Sequence, residues 1–239
     1  MQWSYSLQQL SHAAGLPIDL QIEKAWYQRA STISKVQGNS VVYYAIKRLI
    51  DVTVCLAALP VLLPVFVLLC VAIWVDSGRP LFYFQHRTGQ GGRRFKMYKL
   101  RTMVKNAEAL KQKYMHLNLL TYPDFKIVND PRITRVGRFL RKTSLDELPQ
   151  IFNVLKGDMT LVGPRPTSFN ASTYSLWHTV RLELKPGLTG LWQVCGRNEL
   201  DFDERVRLDI AYMRNQSLWL DLQILLRTIG AVLTGHGAH

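Results

Sequence analysis

The chain has 239 residues, 48% of them hydrophobic, and its 30 lysines and arginines outnumber 17 acidic residues to give a formal net charge of +13. This length accommodates one catalytic domain, with or without a single membrane segment. The charge indicates an anionic partner: nucleic acid, an anionic membrane surface or a phosphate-bearing substrate. The spacing of the cysteines and histidines fits neither a disulfide framework nor a zinc motif.

The first 46 residues mix polar and apolar positions. Apolar side chains such as Leu20, Trp26 and Ile33 recur at roughly helical spacing. This spacing predicts a helix that packs on the domain or lies at a membrane interface, so residues 1–46 form the first predicted unit.

Residues 52–75 form an uncharged apolar run. As a helix rising about 1.5 Å per residue, the run is long enough to cross a bilayer core of about 30 Å. A cleavable signal peptide is disfavoured because the run starts far from the N-terminus and no small-residue cleavage site follows it. We predict a membrane helix over residues 47–76.

The flanks and prolines of this run bear on its topology. Lys47 and Arg48 precede it, and Arg79 and Arg87 begin a second basic flank after it. Cationic flanks prefer the cytoplasmic side, so a simple crossing would place one cluster outside. Two prolines near the middle, at positions 60 and 64, favour a bend. We predict a re-entrant helix, while a kinked spanning helix stays open because membrane helices tolerate proline.

Residues 77–239 form the predicted catalytic domain. Residues 81–87 and 94–101 flank a glycine-rich turn, the pattern of a β-hairpin whose second strand has Lys99 and Arg101 on one face. Residues 135–142 and 217–233 have the periodicity of amphipathic helices. The predicted fold is mainly α with a small β-hairpin, an α+β domain.

Asp146 and Glu147 are adjacent acids after the basic run. One interpretation is structural, since Ser144 and Glu147 have the spacing of a capping box at a helix N-terminus. The other is catalytic: an ionised aspartate attacks phosphorus, and the neighbouring glutamate binds Mg²⁺ together with phosphate oxygens.

Two arginines follow in loops. Arg165 lies between Pro164 and Pro166, which restrict the backbone around it, and Arg197 follows a second glycine-containing loop. A guanidinium held in this way is suited to binding phosphate, although most single arginines are solvated surface charges.

Five spaced motifs together resemble the bacterial sugar transferases, the monotopic phosphoglycosyl transferases that begin polysaccharide and glycan assembly. The motifs are KLRTM (99–103), RKTSLDELPQ (141–150), NVLKGDM (153–159), VGPRP (162–166) and KPGLTG (185–190). The resemblance runs from about Lys47 to the C-terminal helical region.

The resemblance implies a re-entrant helix in the bacterial inner membrane and an active site on its cytoplasmic face. It implies transfer of a sugar-1-phosphate from a UDP-sugar, expected to be a UDP-hexose, to undecaprenyl phosphate with release of UMP. Asp146 is then the nucleophile and Glu147 the ligand of Mg²⁺. The cations expected at the diphosphate or lipid phosphate are Lys99, Arg101, Arg141, Arg165 and Arg197. A homodimer is a further expectation.

Other classes of protein also fit parts of the sequence. Asp201 and Asp203 form a DxD pattern, which is typical of a glycosyltransferase that releases UDP, although acids are also common at a helix start. The basic face also suits a non-enzymatic adaptor that binds anionic lipid. Nucleic acid is not expected as a partner because no zinc-finger or RNP-like motif accompanies the membrane segment.

Overall fold

The computed structural model describes residues 41–118, 127–170, 173–195 and 200–233. The helices are α1 (Val41–Ser77), α2 (Arg135–Lys142), α3 (Gln150–Lys156), α4 (Leu191–Cys195), α5 (Phe202–Arg214) and α6 (Leu218–Leu233). The strands are β1 (Phe82–Thr88), β2 (Arg94–Leu100), β3 (Thr160–Val162) and β4 (Gly187–Thr189). The prediction of a mainly helical fold with a small hairpin is confirmed. The helix predicted within residues 1–46 falls largely outside the described residues.

The hairpin forms as the alternating pattern predicts. Strands β1 and β2 pair antiparallel, with Phe82 opposite Leu100 and Thr88 opposite Arg94. Gly91 in the connecting turn has a φ of 63°, a conformation that glycine adopts without steric cost. Phe95 and Met97 of β2 are buried in the main hydrophobic core, so the hairpin is fixed to the domain through its second strand.

A second sheet, which the sequence analysis did not predict, pairs the short strands β3 and β4 in parallel. A Cβ atom at Gly187 would lie 2.1 Å from the backbone nitrogen of Gly163, so only glycine allows the two backbones to approach this closely. The sheet holds the start of the VGPRP loop beside the KPGLTG loop, and this contact fixes the backbone that leads to Arg165.

Helix α1 begins six residues before the predicted start and continues through Pro60 and Pro64. It is long and apolar enough, by length and composition, to cross a membrane, and only 6% of its most apolar window is buried. One stripe of the helix packs on the domain along nearly its whole length. The buried members of the stripe are Tyr43, Lys47, Asp51, Cys55, Leu69 and Ile73.

The charged members of this stripe have partners in the domain. The Lys47 ammonium lies 2.5 Å from Asp221 of α6, and both side chains are about nine-tenths buried. Asp51 accepts hydrogen bonds from the Thr160 hydroxyl at 2.5 Å and from the Leu161 backbone N–H at 3.1 Å. The first half of α1 is therefore tied by ion pairing and hydrogen bonding to both α6 and β3.

The second half of α1 packs on the domain through apolar contacts. Leu69 and Ile73 form a cluster with Leu100 and Leu140, against which Leu145 and Leu148 are partly buried. At the end of the helix, Arg101 donates to the carbonyl oxygens of Ser77 and Gly78, both at 2.8 Å. Both ends of α1 therefore contact the same domain.

Candidate active site

Asp146 and Glu147 lie in a 3₁₀ turn, Leu145–Glu147, between α2 and α3. The capping box considered from sequence is wrong: Ser144 makes no side-chain cap hydrogen bond, and α3 begins only at Gln150. Ser144 instead adopts a left-handed conformation with φ of 57°, which costs a non-glycine residue about 1 kcal/mol or more. Backbone strain of this kind directly before two acids is typical of a functional turn.

Glu147 is held by two cations. Arg165 binds it in a bidentate manner, with one guanidinium nitrogen 2.5 Å from Oε1 and the other 3.1 Å from Oε2. Lys99 donates to Oε1 at 2.7 Å. Burial alone would raise the pKa of Glu147, but the charges of Arg165 and Lys99 outweigh it and hold the pKa well below its usual range. Glu147 is therefore a fixed anion that orders both cations.

Asp146 has a different environment. It is buried, and its Oδ2 lies 3.5 Å from the Lys99 ammonium. Burial raises the pKa of Asp146, the charges of Lys99 and Arg141 oppose this shift, and the charge of Glu147 adds to it. Adjacent carboxylates whose pKa values move in opposite directions are suited to different chemical tasks.

The backbone of Arg165 is held by the buried ion pair between Arg181 and Asp209. Its carbonyl oxygen accepts a hydrogen bond from Arg181 at 2.6 Å, and Arg181 lies 2.6 Å from the buried Asp209. Burial raises the pKa of Asp209 to about 6, although Arg181 opposes the shift. The sequence analysis did not single out Arg181, because its partners Arg165 and Asp209 are distant in the chain and leave no local pattern.

The structure brings together four of the seven predicted site residues: Asp146, Glu147, Lys99 and Arg165. Arg141 on α2 donates to the Thr102 hydroxyl at 2.9 Å, and its charge acts on Asp146. Arg101 makes its hydrogen bonds with the end of α1, so its part in binding phosphate stays a prediction. Arg197 lies outside the described residues.

The DxD pattern has structural partners. Asp201 caps α5 by accepting from the Glu204 backbone N–H at 2.7 Å, and the Glu204 carboxylate accepts from the Asp201 backbone N–H at 3.0 Å. Asp203 lies 3.0 Å from the His178 ring. The acids of this pattern mark a helix start, as the sequence also allowed.

The donor set at Glu147 is compatible with Mg²⁺. The described residues include no cluster of three or more histidine, cysteine or acidic side chains. Mg²⁺, however, is commonly bound by one or two carboxylates together with substrate phosphates. Oε1 of Glu147 accepts from two cations and Oε2 from Arg165 alone. Since a carboxylate oxygen has two lone pairs, Oε2 retains one for a metal.

The fold is an α+β domain that packs on one helix long and apolar enough to cross a membrane, with an acidic pair among cations beside that helix. This combination is typical of membrane-associated proteins that act on phosphate-bearing molecules. Comparison with known proteins narrows this class. The chain belongs to the bacterial sugar transferase family, whose family model matches residues 42–235.

Individual relatives agree with this assignment. The chain is 40% identical over 240 residues to the galactosyl transferase CpsE of Streptococcus agalactiae, covering 95% of this chain and 53% of CpsE. It is 45% identical to the undecaprenyl-phosphate galactose phosphotransferase of Salmonella typhimurium, covering 81% of this chain and 42% of that protein. It is 40% identical to the exopolysaccharide production protein ExoY of Sinorhizobium fredii, covering 81% of this chain and 88% of ExoY. The chain thus spans about half the length of the first two relatives and most of ExoY.

Proposed function

We propose that the protein transfers a sugar-1-phosphate from a UDP-sugar, specifically a UDP-hexose, to undecaprenyl phosphate and releases UMP, as a first step of exopolysaccharide or glycan assembly. The observation that carries the proposal is the pair Asp146 and Glu147 among Lys99 and Arg165, with flanking leucines that pack against α1. Such a site, cationic and next to an apolar helix, suits an anionic donor and a lipid phosphate. The names of the relatives support the general reaction, transfer of a phosphorylated sugar to undecaprenyl phosphate.

The reaction follows from the two carboxylates. An oxygen of Asp146 attacks the phosphorus that bears the sugar, the bond from that phosphorus to the UMP oxygen breaks, and UMP leaves with the electron pair. An oxygen of undecaprenyl phosphate then attacks the same phosphorus and regenerates the Asp146 carboxylate. Lys99 and Arg165, held by Glu147, supply positive charge where negative charge develops on the phosphoryl oxygens.

Mg²⁺ completes the proposed site, with Glu147 as its protein ligand. When bound, it would neutralise negative charge on the donor's diphosphate. Arg165 and Lys99 keep Glu147 ionised and oriented for this purpose, because both donate to its carboxylate.

We further propose that α1 is re-entrant in the inner membrane and that the domain lies on the cytoplasmic face. Contact between both ends of α1 and one domain supports this topology, since a spanning helix would carry one end away from it. The apolar side chains outside the buried stripe, among them Val61, Leu68 and Val71, are exposed and suited to lipid.

Cysteine labelling in intact cells tests this topology. In a variant without native cysteines, Val42→Cys marks the start of α1 and Lys105→Cys lies beside its end, while Glu108→Cys reports on the domain. We expect none of the three to react with a membrane-impermeant maleimide until the cells are permeabilised. Reaction of Val42→Cys in intact cells would establish a spanning helix and overturn the re-entrant topology.

The released nucleotide tests the function. Detergent-solubilised protein is incubated with Mg²⁺, undecaprenyl phosphate and a panel of UDP-sugars. UMP together with a lipid-linked diphosphate sugar is the expected result. UDP would mean that only the sugar is transferred, and the absence of any nucleotide release from every donor would favour the adaptor.

The acid limb of the pH profile of kcat/KM reports the protonation of Asp146. Because burial raises its pKa, we expect activity to fall as pH drops through a value above the ordinary aspartate pKa of about 4. Lys99 lowers this pKa, so Lys99→Met should move the acid limb to higher pH. Lys96→Met is the control, since Lys96 is exposed on the same strand. An acid limb that stays in place in Lys99→Met would count against Asp146 as the titrating group.

A further inference from the structure

The hairpin carries a second cation on the face that bears Lys99. Residues opposite each other in an antiparallel pair point to the same face of the sheet. Tyr83 is opposite Lys99, and Arg87 is opposite Phe95. Since side chains two and four residues apart along a strand also share a face, Arg87 lies on the same side of the hairpin as Lys99.

Arg87 lacks an anionic partner in the part of the chain that the structure describes. One guanidinium nitrogen donates to Gln85 at 2.6 Å, while its Nε is buried without a hydrogen bond. Burial and the positive charge of Arg165 together lower the pKa of Arg87 to about 10, with the charge of Glu147 opposing them. A desolvated cation without a counter-ion is costly to a protein unless a ligand supplies the anion.

The charges around Arg87 do not balance. The interacting groups are two carboxylates and five cations: Asp146, Glu147, Lys99, Arg141, Arg165, Arg87 and Arg94. The cations outnumber the carboxylates by three, which suits an anion that carries two or more negative charges.

We propose that the guanidinium of Arg87 binds the diphosphate of the nucleotide-sugar donor. Arg87 shares a face of the hairpin with Lys99 but lies nearer to the hairpin turn. The inference rests on the proposed function and adds a donor-binding residue to it. Gln85 orients the guanidinium and leaves Nε free for a phosphate oxygen, and Arg165 contributes the adjacent charge. An alternative source of the same chemistry is the phosphate of the lipid acceptor.

The test compares Arg87→Met with Arg93→Met in the full chain. Arg93 follows the hairpin turn with its side chain 74% exposed, so the control removes the same charge outside the acidic pair. For Arg87→Met we expect the KM for the UDP-sugar, and the Kd for UDP and inorganic pyrophosphate, to rise about 10- to 100-fold, the value of one or two charged hydrogen bonds. The KM for undecaprenyl phosphate should change by less than about two-fold, because Arg87 is proposed to contact the donor and not the acceptor.

Thermal stability distinguishes a ligand-binding role of Arg87 from a structural role. Removal of a desolvated cation without a partner should leave the Tm of the free protein unchanged or higher. A lower Tm with unchanged pyrophosphate and UDP binding would overturn the inference, as would a rise in KM confined to the lipid acceptor. Loss of pyrophosphate binding in Arg87→Met, together with no UMP release by the wild type from any donor, would uphold the anion site and refute the proposed function.

Discussion

Replacement of Asp146 by Asn is expected to lower turnover by about 10⁴-fold or more, the size of effect seen when a nucleophile is removed. An amide oxygen does not form the covalent phosphosugar. We expect intact-protein mass spectrometry, after donor is added without acceptor, to detect a hexose-phosphate adduct on the wild type and none on Asp146→Asn.

Stability provides the control for this variant. Burial raises the pKa of Asp146 in the folded state, so at neutral pH the ionised carboxylate destabilises the folded protein relative to the unfolded chain. The neutral amide of Asp146→Asn should therefore leave the Tm unchanged or higher. Glu147→Gln should lower the Tm, because Arg165 and Lys99 depress the pKa of Glu147 and its ionised form stabilises the folded state. Its contribution to stability is present above the unfolded pKa of about 4 and is lost as pH falls below it. A Tm that falls equally in both variants would make Asp146 a structural residue.

Lys47→Met is expected to destabilise the protein by about 3–5 kcal/mol, because it leaves the buried carboxylate of Asp221 without its cation. In a domain of this size the loss corresponds to a fall in Tm of roughly 10 °C, measured on protein in mild detergent. The Arg93–Asp158 pair is the control, because the Arg93 side chain is 74% exposed and Asp158 also lies 3.2 Å from Lys156. Arg93→Met should therefore cost less than about 1 kcal/mol.

The pH dependence identifies Asp221 as the source of this loss. Burial raises the pKa of Asp221 while Lys47 and the Tyr212 hydroxyl oppose the shift, so without Lys47 the carboxyl protonates more readily. The destabilisation of Lys47→Met should therefore shrink as the pH is lowered. A second change, Asp221→Asn, should restore most of the lost stability at neutral pH, since it removes the unpaired charge and keeps an oxygen that accepts from Tyr212. If the double variant were no more stable than Lys47→Met, lost packing rather than charge would be the cause.

Local patterns in the sequence predicted the elements of the fold well. The apolar run, the glycine turn and the amphipathic stretch before Asp146 each have a periodicity or a turn residue that marks a helix or a hairpin. The family resemblance brought Asp146, Glu147, Lys99 and Arg165 together as site residues, and the structure brings them into contact. The parallel pair β3–β4 was missed because each strand has only three residues.

Features that depend on contacts between distant residues could not be predicted in the same way. The spacing of Ser144 and Glu147 fits a capping box, but Arg165 and Lys99 bind the glutamate and the cap does not form. The motif of Arg101 did not predict its hydrogen bonds to the end of α1. Arg87 could have been found by pairing the two strands of the hairpin in register, since that places it on the face of Lys99.

The ion pair between α1 and α6 also bears on how the protein is made. Lys47 and Asp221 are 174 residues apart, so at roughly 5–20 residues per second the ribosome needs about 10–35 s to supply the counter-ion after Lys47 emerges. In the proposed topology, α1 would meet the bilayer during that interval with an unpaired cation at its start, which favours the cytoplasmic side. The order of synthesis would then favour a cytoplasmic start of the helix until α6 is made and Asp221 pairs with Lys47.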